Sequence, residues 1–199
     1  RSRGLGDVYK RQIPFSPGSS CMKVSRPTGD SRDVTSRPLQ WGLKEMTDEA
    51  YLSHRVPQVE YLSGLLDEAG VPFVKPAGGH AVFVDAAAFF PHIPRLKFPA
   101  DVLSVEVYRE GAVRGIGLGT LAFENEDEVT GEIIPPKLEL YRLAISRKTY
   151  TNSHIEYVAS RIIDVYKRRH SVKYGLEIVE APEVKGLKHF LAKLHPVSL

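Results

Sequence analysis

Pro135-Pro136-Lys137-Leu138-Glu139-Leu140-Tyr141-Arg142-Leu143-Ala144-Ile145-Ser146 decides the fold. The proline pair leads into a short apolar run that predicts a strand from about Leu138 to Ile145. Within it sits an arginine flanked by Tyr141 and Leu143. A guanidinium near a core needs a counter-charge and several acceptors, so an internal salt bridge is the plainest expectation for Arg142.

Outward from this strand, Glu124 to Glu132 reads as a solvated acidic loop, and Val113 to Phe123 as extended chain broken by Gly115, Gly117 and Gly119. That GxGxG spacing lacks the GxxxxGK(S/T) of a phosphate loop and no helix follows it, so close backbone packing is its simplest use. Pro99 begins a helix to about Glu110, closed by Gly111, with Leu103 and Val107 on one face. Val71 to Val74 and Ala81 to Ala86 are expected as short strands in a hairpin or a βxβ corner around Pro76-Ala-Gly-Gly79.

Thr47 or Asp48 caps a first helix to about Ala69, stopped by Gly70, with a stripe of Tyr51, Leu52, Val56, Val59, Leu62, Leu65 and Leu66 and a kink expected at Pro57. Downstream, Thr151 or Asn152 begins a helix to about Arg169 that turns Ile155, Val158, Ile162, Val165 and Tyr166 inward. Its terminal Lys167-Arg168-Arg169 suits the helix dipole better than it suits RNA. Gly175 to Glu180 and Gly186 to Leu194 predict two last strands, the second carrying His189-Phe190. The fold class is α+β, strands covered by helices.

Composition bounds the rest. The 199 residues are 42% hydrophobic and 26% charged, which suits one globular domain or a large piece of one. No apolar run reaches a membrane-spanning length and none resembles a signal peptide, so a soluble, cytoplasmic protein is expected. The single cysteine, Cys21, and seven scattered histidines give no disulfide and no metal-ligand spacing. The net charge of +3 is misleading: residues 1–41 hold eight Lys/Arg against three Asp, which leaves 19 Lys/Arg against 21 Asp/Glu in residues 42–199. A nucleic-acid partner is not expected of such a body.

Residues 1–41 show no sustained periodicity and are expected to be irregular and disordered. Asp7-Val-Tyr-Lys-Arg-Gln12 resembles the translation of GATGTGTATAAGAGACAG, a transposon end used in sequencing libraries. Permitted codons for Ile13 to Trp41, read from the third base, give PFLSRVILYEGFPTYGGLAGRDIEALAVG, a string patterned like protein. We therefore read residues 1–41 as a non-native leader, an adaptor scar followed by an out-of-frame segment, with native sequence from Gly42. The encoding DNA tests this: a one-base indel near Trp41 is expected, and reads without one refute it.

Arg142, His189-Phe190 and Gly78-Gly79-His80 carry chemistry that composition leaves unassigned. His189 could face solvent with Phe190 inward, and His80 could hydrogen-bond its turn. Yet HRVPQVEYL (His54–Leu62), GGHAVFVDA (Gly78–Ala86), FPADVLSVEVY (Phe98–Tyr108), TGEIIPPKLELYRLAISR (Thr130–Arg147), YTNSHIEYV (Tyr150–Val158) and LKHFLAKL (Leu187–Leu194) lie in one collinear series. By these stretches residues 42–199 resemble the C-terminal region of the pyridoxal-phosphate-dependent aromatic amino acid β-eliminating lyases. The shifted-frame YEGFPTYGGLAGRD resembles the segment just upstream in that family.

The resemblance implies the small C-terminal domain of a fold-type-I pyridoxal-phosphate enzyme, part of a homotetramer that needs a potassium ion. It makes Arg142 the group binding the substrate α-carboxylate, and Leu118 and Phe190 contacts to the aromatic side chain. His189 becomes a catalytic hydrogen-bonding or proton-positioning group beside the leaving ring. The tyrosine-cleaving branch has an arginine where this chain has Leu118, and Phe-Phe where it has His189-Phe190. Both differences point to L-tryptophan, cleaved to indole, pyruvate and ammonia, over another aromatic amino acid. Gly117 in place of a glutamate and Ser146 in place of a proline depart from the family pattern.

The lysine that forms the Schiff base with the cofactor is expected upstream, in a large domain outside this chain, which leaves residues 42–199 inactive and poorly soluble alone. Two other readings stand beside this one: a tyrosine-cleaving or related lyase, and a non-enzymatic α+β binding module. The module is told from the lyases by whether Arg142, Leu118, His189 and Phe190 converge on one open face; scattering favours the module.

Overall fold

A computed structural model describes residues 40–199 except Glu124, Glu128, Val129, Gly131, Arg147, Lys148 and residues 183–187. The leader assigned to residues 1–41 falls almost wholly outside the described residues. The chain divides into two units, Arg1–Met46 and Thr47–Leu199. Of the first, residues 40–46 are helical. The second holds the sheets and the helices that follow Asp48.

Helix α1 spans Glu49–Glu68, and Asp48 caps it by accepting from the Ala50 and Tyr51 amides. It runs through Pro57 and ends before Gly70, whose φ of +70° closes it. Only its second half buries the expected stripe, through Val59, Leu62 and Leu66. Strand β1 (Ala81–Asp85) pairs antiparallel with the preceding chain at Phe73, so the turn between them is a hairpin. Asp85 then caps the single turn α2 (Ala86–Phe89).

Helix α3 runs from Pro99 to Gly111. Strand β2 (Ile116–Leu118) follows, then a helical turn α4 (Thr120–Phe123) and two short paired strands, β3 (Asn125–Glu126) and β4 (Ile133–Ile134). The extended run expected from Val113 to Phe123 thus stops at Leu118. The Gly119 carbonyl accepts from the Ala122 and Phe123 amides and turns the chain into a helix there.

The quoted strand is β5 (Leu140–Ala144), at the centre of an antiparallel sheet ordered β1-β5-β2. Helix α5 (Asn152–Lys167) starts at a Thr151–His154 capping box. Strand β6 (Tyr174–Glu180), a helical turn α6 (Lys188–Leu191) and strand β7 (Lys193–Ser198) complete the chain, β6 and β7 pairing antiparallel. The architecture is mixed helix and sheet, of the α+β kind.

His189 and Phe190 were expected on a strand from Gly186 to Leu194, and they lie instead on α6, closed by a 2.9 Å bond from the Ala192 amide to the Lys188 carbonyl. A strand exists only where a partner lends hydrogen bonds, and β6 offers its edge to Lys193–Ser198. The alternation in Lys188-His-Phe-Leu191 fits one helical turn equally well.

Val82 and Val84 on β1 and Tyr141 and Leu143 on β5 share one buried cluster with Val59, Leu62 and Leu66 of α1, Val102, Leu103 and Val107 of α3, and Ile155 and Ile162 of α5. Helices therefore cover one sheet face. The basic end of α5 is occupied internally: Arg168 pairs with Glu106 and Glu110 of α3, and Arg169 lies 4.0 Å from the Tyr166 ring centre.

Candidate substrate face

Strand alternation sets the direction of Arg142. Tyr141 and Leu143 are buried among the helices, so Leu140, Arg142 and Ala144 project from the opposite face. Register then fixes the neighbours. Arg142 lies between Phe83 of β1 and Ile116 of β2, and in the next row Leu140 lies between Asp85 and Leu118. Arg142 and Leu118 are thus diagonal neighbours on one face, about 7–8 Å apart by sheet geometry.

The salt bridge anticipated for Arg142 is not formed among the described residues. Its Nε is buried with no hydrogen-bond partner, and Asp85, the carboxylate on the same face, accepts from the Ala88 amide. A guanidinium so placed is ready for an external anion, and its planar fork suits a carboxylate. The His80 ring meets Phe83 edge-on at 6.2 Å, so the Gly78-Gly79-His80 turn buttresses a neighbour of Arg142.

His189 and Phe190 enter through α6, which packs on α4, the turn that begins two residues after Leu118. The His189 Nδ1 is buried without a partner. Burial holds its imidazole below the ordinary value, which favours the neutral ring. Phe190 is 74% exposed and meets His189 edge-on at 5.0 Å.

A cavity of about 350 Å³ lies at the ends of α3 and β5 against α5, and another of about 340 Å³ around Glu106 and Arg168. None of Arg142, Leu118, His189 and Phe190 lines either one. Arg142 and Leu118 share the sheet face opposite the helices, and α6 packs on the turn that follows β2.

The three glycines of Val113–Phe123 serve packing. A Cβ on Gly115 would stand 2.4 Å from the Tyr141 ring, one on Gly117 2.6 Å from Asp101 Oδ1, and one on Gly119 1.8 Å from Glu139 Oε2. Sequence reasoning missed this Asp101–Glu139 pair. A signal was present in the quoted strand, because alternation puts Glu139 on the side of Tyr141 and Leu143. It is 1% exposed, while Leu138 is 54% exposed.

No lysine among the described residues is buried, and Lys75, Lys97 and Lys193 pair with Asp67, Glu177 and Glu180. A lysine that condenses with a carbonyl cofactor needs a desolvated, unpaired amine, so the described residues do not fit that role. Among them no group of three or more His, Cys, Asp or Glu could hold a metal ion, and no helix is long and apolar enough to cross a membrane.

The sheet face opposite the helices thus carries Arg142, its Nε without a hydrogen-bond partner, diagonal to the apolar Leu118. Residues 34–161, well over half the chain, match the beta-eliminating lyase family, and the chain belongs to that family. The match starts inside the segment read as leader. Among curated relatives, the probable tryptophanase of Aeropyrum pernix is 49% identical over 157 residues, which is 79% of this chain and 33% of that protein. The tyrosine phenol-lyase of Pasteurella multocida is 46% identical over 155 residues, 78% of this chain and 33% of that one. The tryptophanase of Hyphomonas neptunium is 44% identical over 151 residues, 76% and 32%. The chain spans about a third of the length of these relatives.

Proposed function

We propose that residues 42–199 are the substrate-recognising small domain of a fold-type-I, pyridoxal-phosphate-dependent lyase that cleaves L-tryptophan to indole, pyruvate and ammonia by β-elimination. The observation that carries this is Arg142, a guanidinium on the central strand with a buried, unpartnered Nε and no counter-ion among the described residues. It binds the α-carboxylate, and so orients the Cα–H bond toward the groups that take its proton. Leu118 lies against the aromatic side chain, where it offers a phenol hydroxyl no partner and suits an indole.

Neutral His189 holds or moves a proton at the leaving ring, and Phe190 packs beside it. The cofactor is assigned to no residue of this chain. The parent enzyme is taken to be a cytoplasmic homotetramer requiring potassium, with the cofactor lysine in its large domain.

The relatives include tryptophan-cleaving and tyrosine-cleaving lyases at similar identity, so Leu118 and His189 decide between them. The test is a chimaera in which residues 42–199 replace the matching part of the Aeropyrum pernix protein. Arg142→Ala is expected to raise KM for tryptophan roughly 10- to 150-fold, the loss of a charged hydrogen bond worth about 1.5–3 kcal/mol. Arg142→Lys should recover part of it. An unchanged KM refutes the assignment. In the same chimaera Leu118→Arg should shift preference toward tyrosine, and a chimaera that prefers tyrosine before that change would place the chain with the phenol-lyases.

A further inference from the structure

We propose that Asp101 and Glu139 are positioning residues for Leu118: their buried carboxyls clamp Gly117–Thr120 between the start of α3 and the start of β5. Leu118 has nothing but glycine on either side, and each glycine lies against one member of the pair. The Gly117 backbone abuts Asp101 Oδ1 and the Gly119 backbone abuts Glu139 Oε2, both closer than any Cβ permits. Glu139 Oε1 also accepts from the Thr120 amide at 2.8 Å and from the Thr120 hydroxyl. Glu139 therefore holds the residue after Gly119 from the start of β5.

The pair holds one charge. Asp101 Oδ2 and Glu139 Oε2 are both buried without a hydrogen-bond partner, and two adjacent buried carboxylates repel. From the elements around them, the facing charged or titratable groups are Arg95 and Tyr141. Arg95 is exposed and donates to the Pro136 and Lys137 carbonyls, and Tyr141 is held neutral by burial. Burial raises Glu139 as well, but the Thr120 amide and hydroxyl donate to it, so Glu139 is the ionised member. Burial and the charge of Glu139 push Asp101 up to about 7, so Asp101 is the neutral one. When Asp101 ionises, the second charge loosens the clamp, and Leu118 moves.

The inference rests on reading Leu118 as a substrate contact, and its test does not. In the 199-residue chain labelled at Asp and Glu carboxyls and at Leu methyls, NMR between about pH 5 and 9 should show the Asp101 carboxyl titrating near neutrality and the Leu118 methyl signals shifting with the same midpoint. Glu139→Gln should lower the Asp101 midpoint. Asp101→Asn should remove the pH dependence of Leu118 and leave its signals at their acid positions. Asp101 titrating in the ordinary carboxylate range overturns the proposal, as do Leu118 methyls that ignore its titration. Should Asp101→Asn fail to fold, the unsubstituted titration decides alone. Failure here leaves the carboxylate role of Arg142 standing, and a failed Leu118→Arg switch in the chimaera leaves the clamp standing.

Discussion

Alanine at Gly115 is expected to lower the stability of the chain by about 3 kcal/mol, the upper part of the usual range for overpacking a core. The added methyl would stand 2.4 Å from Tyr141 Cζ, 2.6 Å from Cε2 and 2.7 Å from the hydroxyl. Such a clash is mild when a flexible side chain can swing aside. Tyr141 cannot: it is fully buried on the central strand, in the cluster that joins α1, α3 and α5. The added methyl must therefore push β2 away from β5 or drive the ring into the core. Both outcomes disturb the register that puts Ile116 beside Arg142. Urea unfolding of Gly115→Ala gives the loss directly. In a Tyr141→Leu background the same change should cost much less, because the clashing ring is gone. An equal loss in both backgrounds would show that Gly115 acts through its own backbone.

Glu106→Ala is the second large effect, expected to cost about 3 kcal/mol at neutral pH, the low end for breaking a buried pair because Arg168 keeps some solvent contact. Glu106 is 3% exposed on α3. It accepts from Arg168 at the end of α5 at 2.6 Å, from the Tyr174 hydroxyl at the start of β6 at 2.7 Å, and from Arg109 at 3.1 Å. One carboxylate thus joins three elements. Burial alone would raise its carboxyl, but the bonds from Tyr174 and Arg168 and the charges of Arg168 and Arg109 outweigh it and hold the group below its ordinary value.

The sign of the pH effect follows. A carboxyl depressed in the fold contributes stability above its unfolded value and loses it as pH falls through the folded one. The stability gap between the chain and Glu106→Ala should therefore be widest near neutrality and close on acidification. A gap that stays constant down to acid pH would mean that the lost packing, not the charge, is what Glu106 supplies.

His189 gives a smaller effect of related kind. Its imidazole is depressed by burial, so the unfolded chain takes up the proton first, and this part of the stability declines as pH falls through the ordinary histidine range. His189→Phe should flatten that portion of the curve in urea unfolding followed over pH. A curve unaltered by the substitution would show that the imidazole titrates alike in the folded and the unfolded chain.

Helices α1, α3 and α5 were legible because each carries its own boundaries. Asp48, Pro99 and Thr151 lie at the starts and Gly70 just past the end of α1, acting on the backbone within a turn of where they stand, whereas α3 runs through Gly111 and is closed by Ala112 at φ +54°. The strand holding Arg142 was legible for a similar reason, an apolar stretch bounded by a proline pair. The glycines at 115, 117 and 119 were read as packing glycines, but what they pack against lies on α3 and β5 and was hidden. The stripe of α1 was over-read, because Leu52 has the same hydropathy as Leu62 and the sequence does not say which half of the helix meets a neighbour.

The sequence by itself determined the class of chain, the capped helices, the strand that carries Arg142 and the family, since these rest on local backbone preference and on long collinear stretches of side chains. Tertiary structure alone decided that His189 sits on a helical turn, that Arg142 is left without a counter-ion among the described residues, and that Asp101 and Glu139 share one buried place. Hydrogen-bond pairing and desolvation are settled by which distant segments meet. Asp101 and Glu139 are far apart along the chain, and only the closing of β5 against β2 and α3 removes water from both.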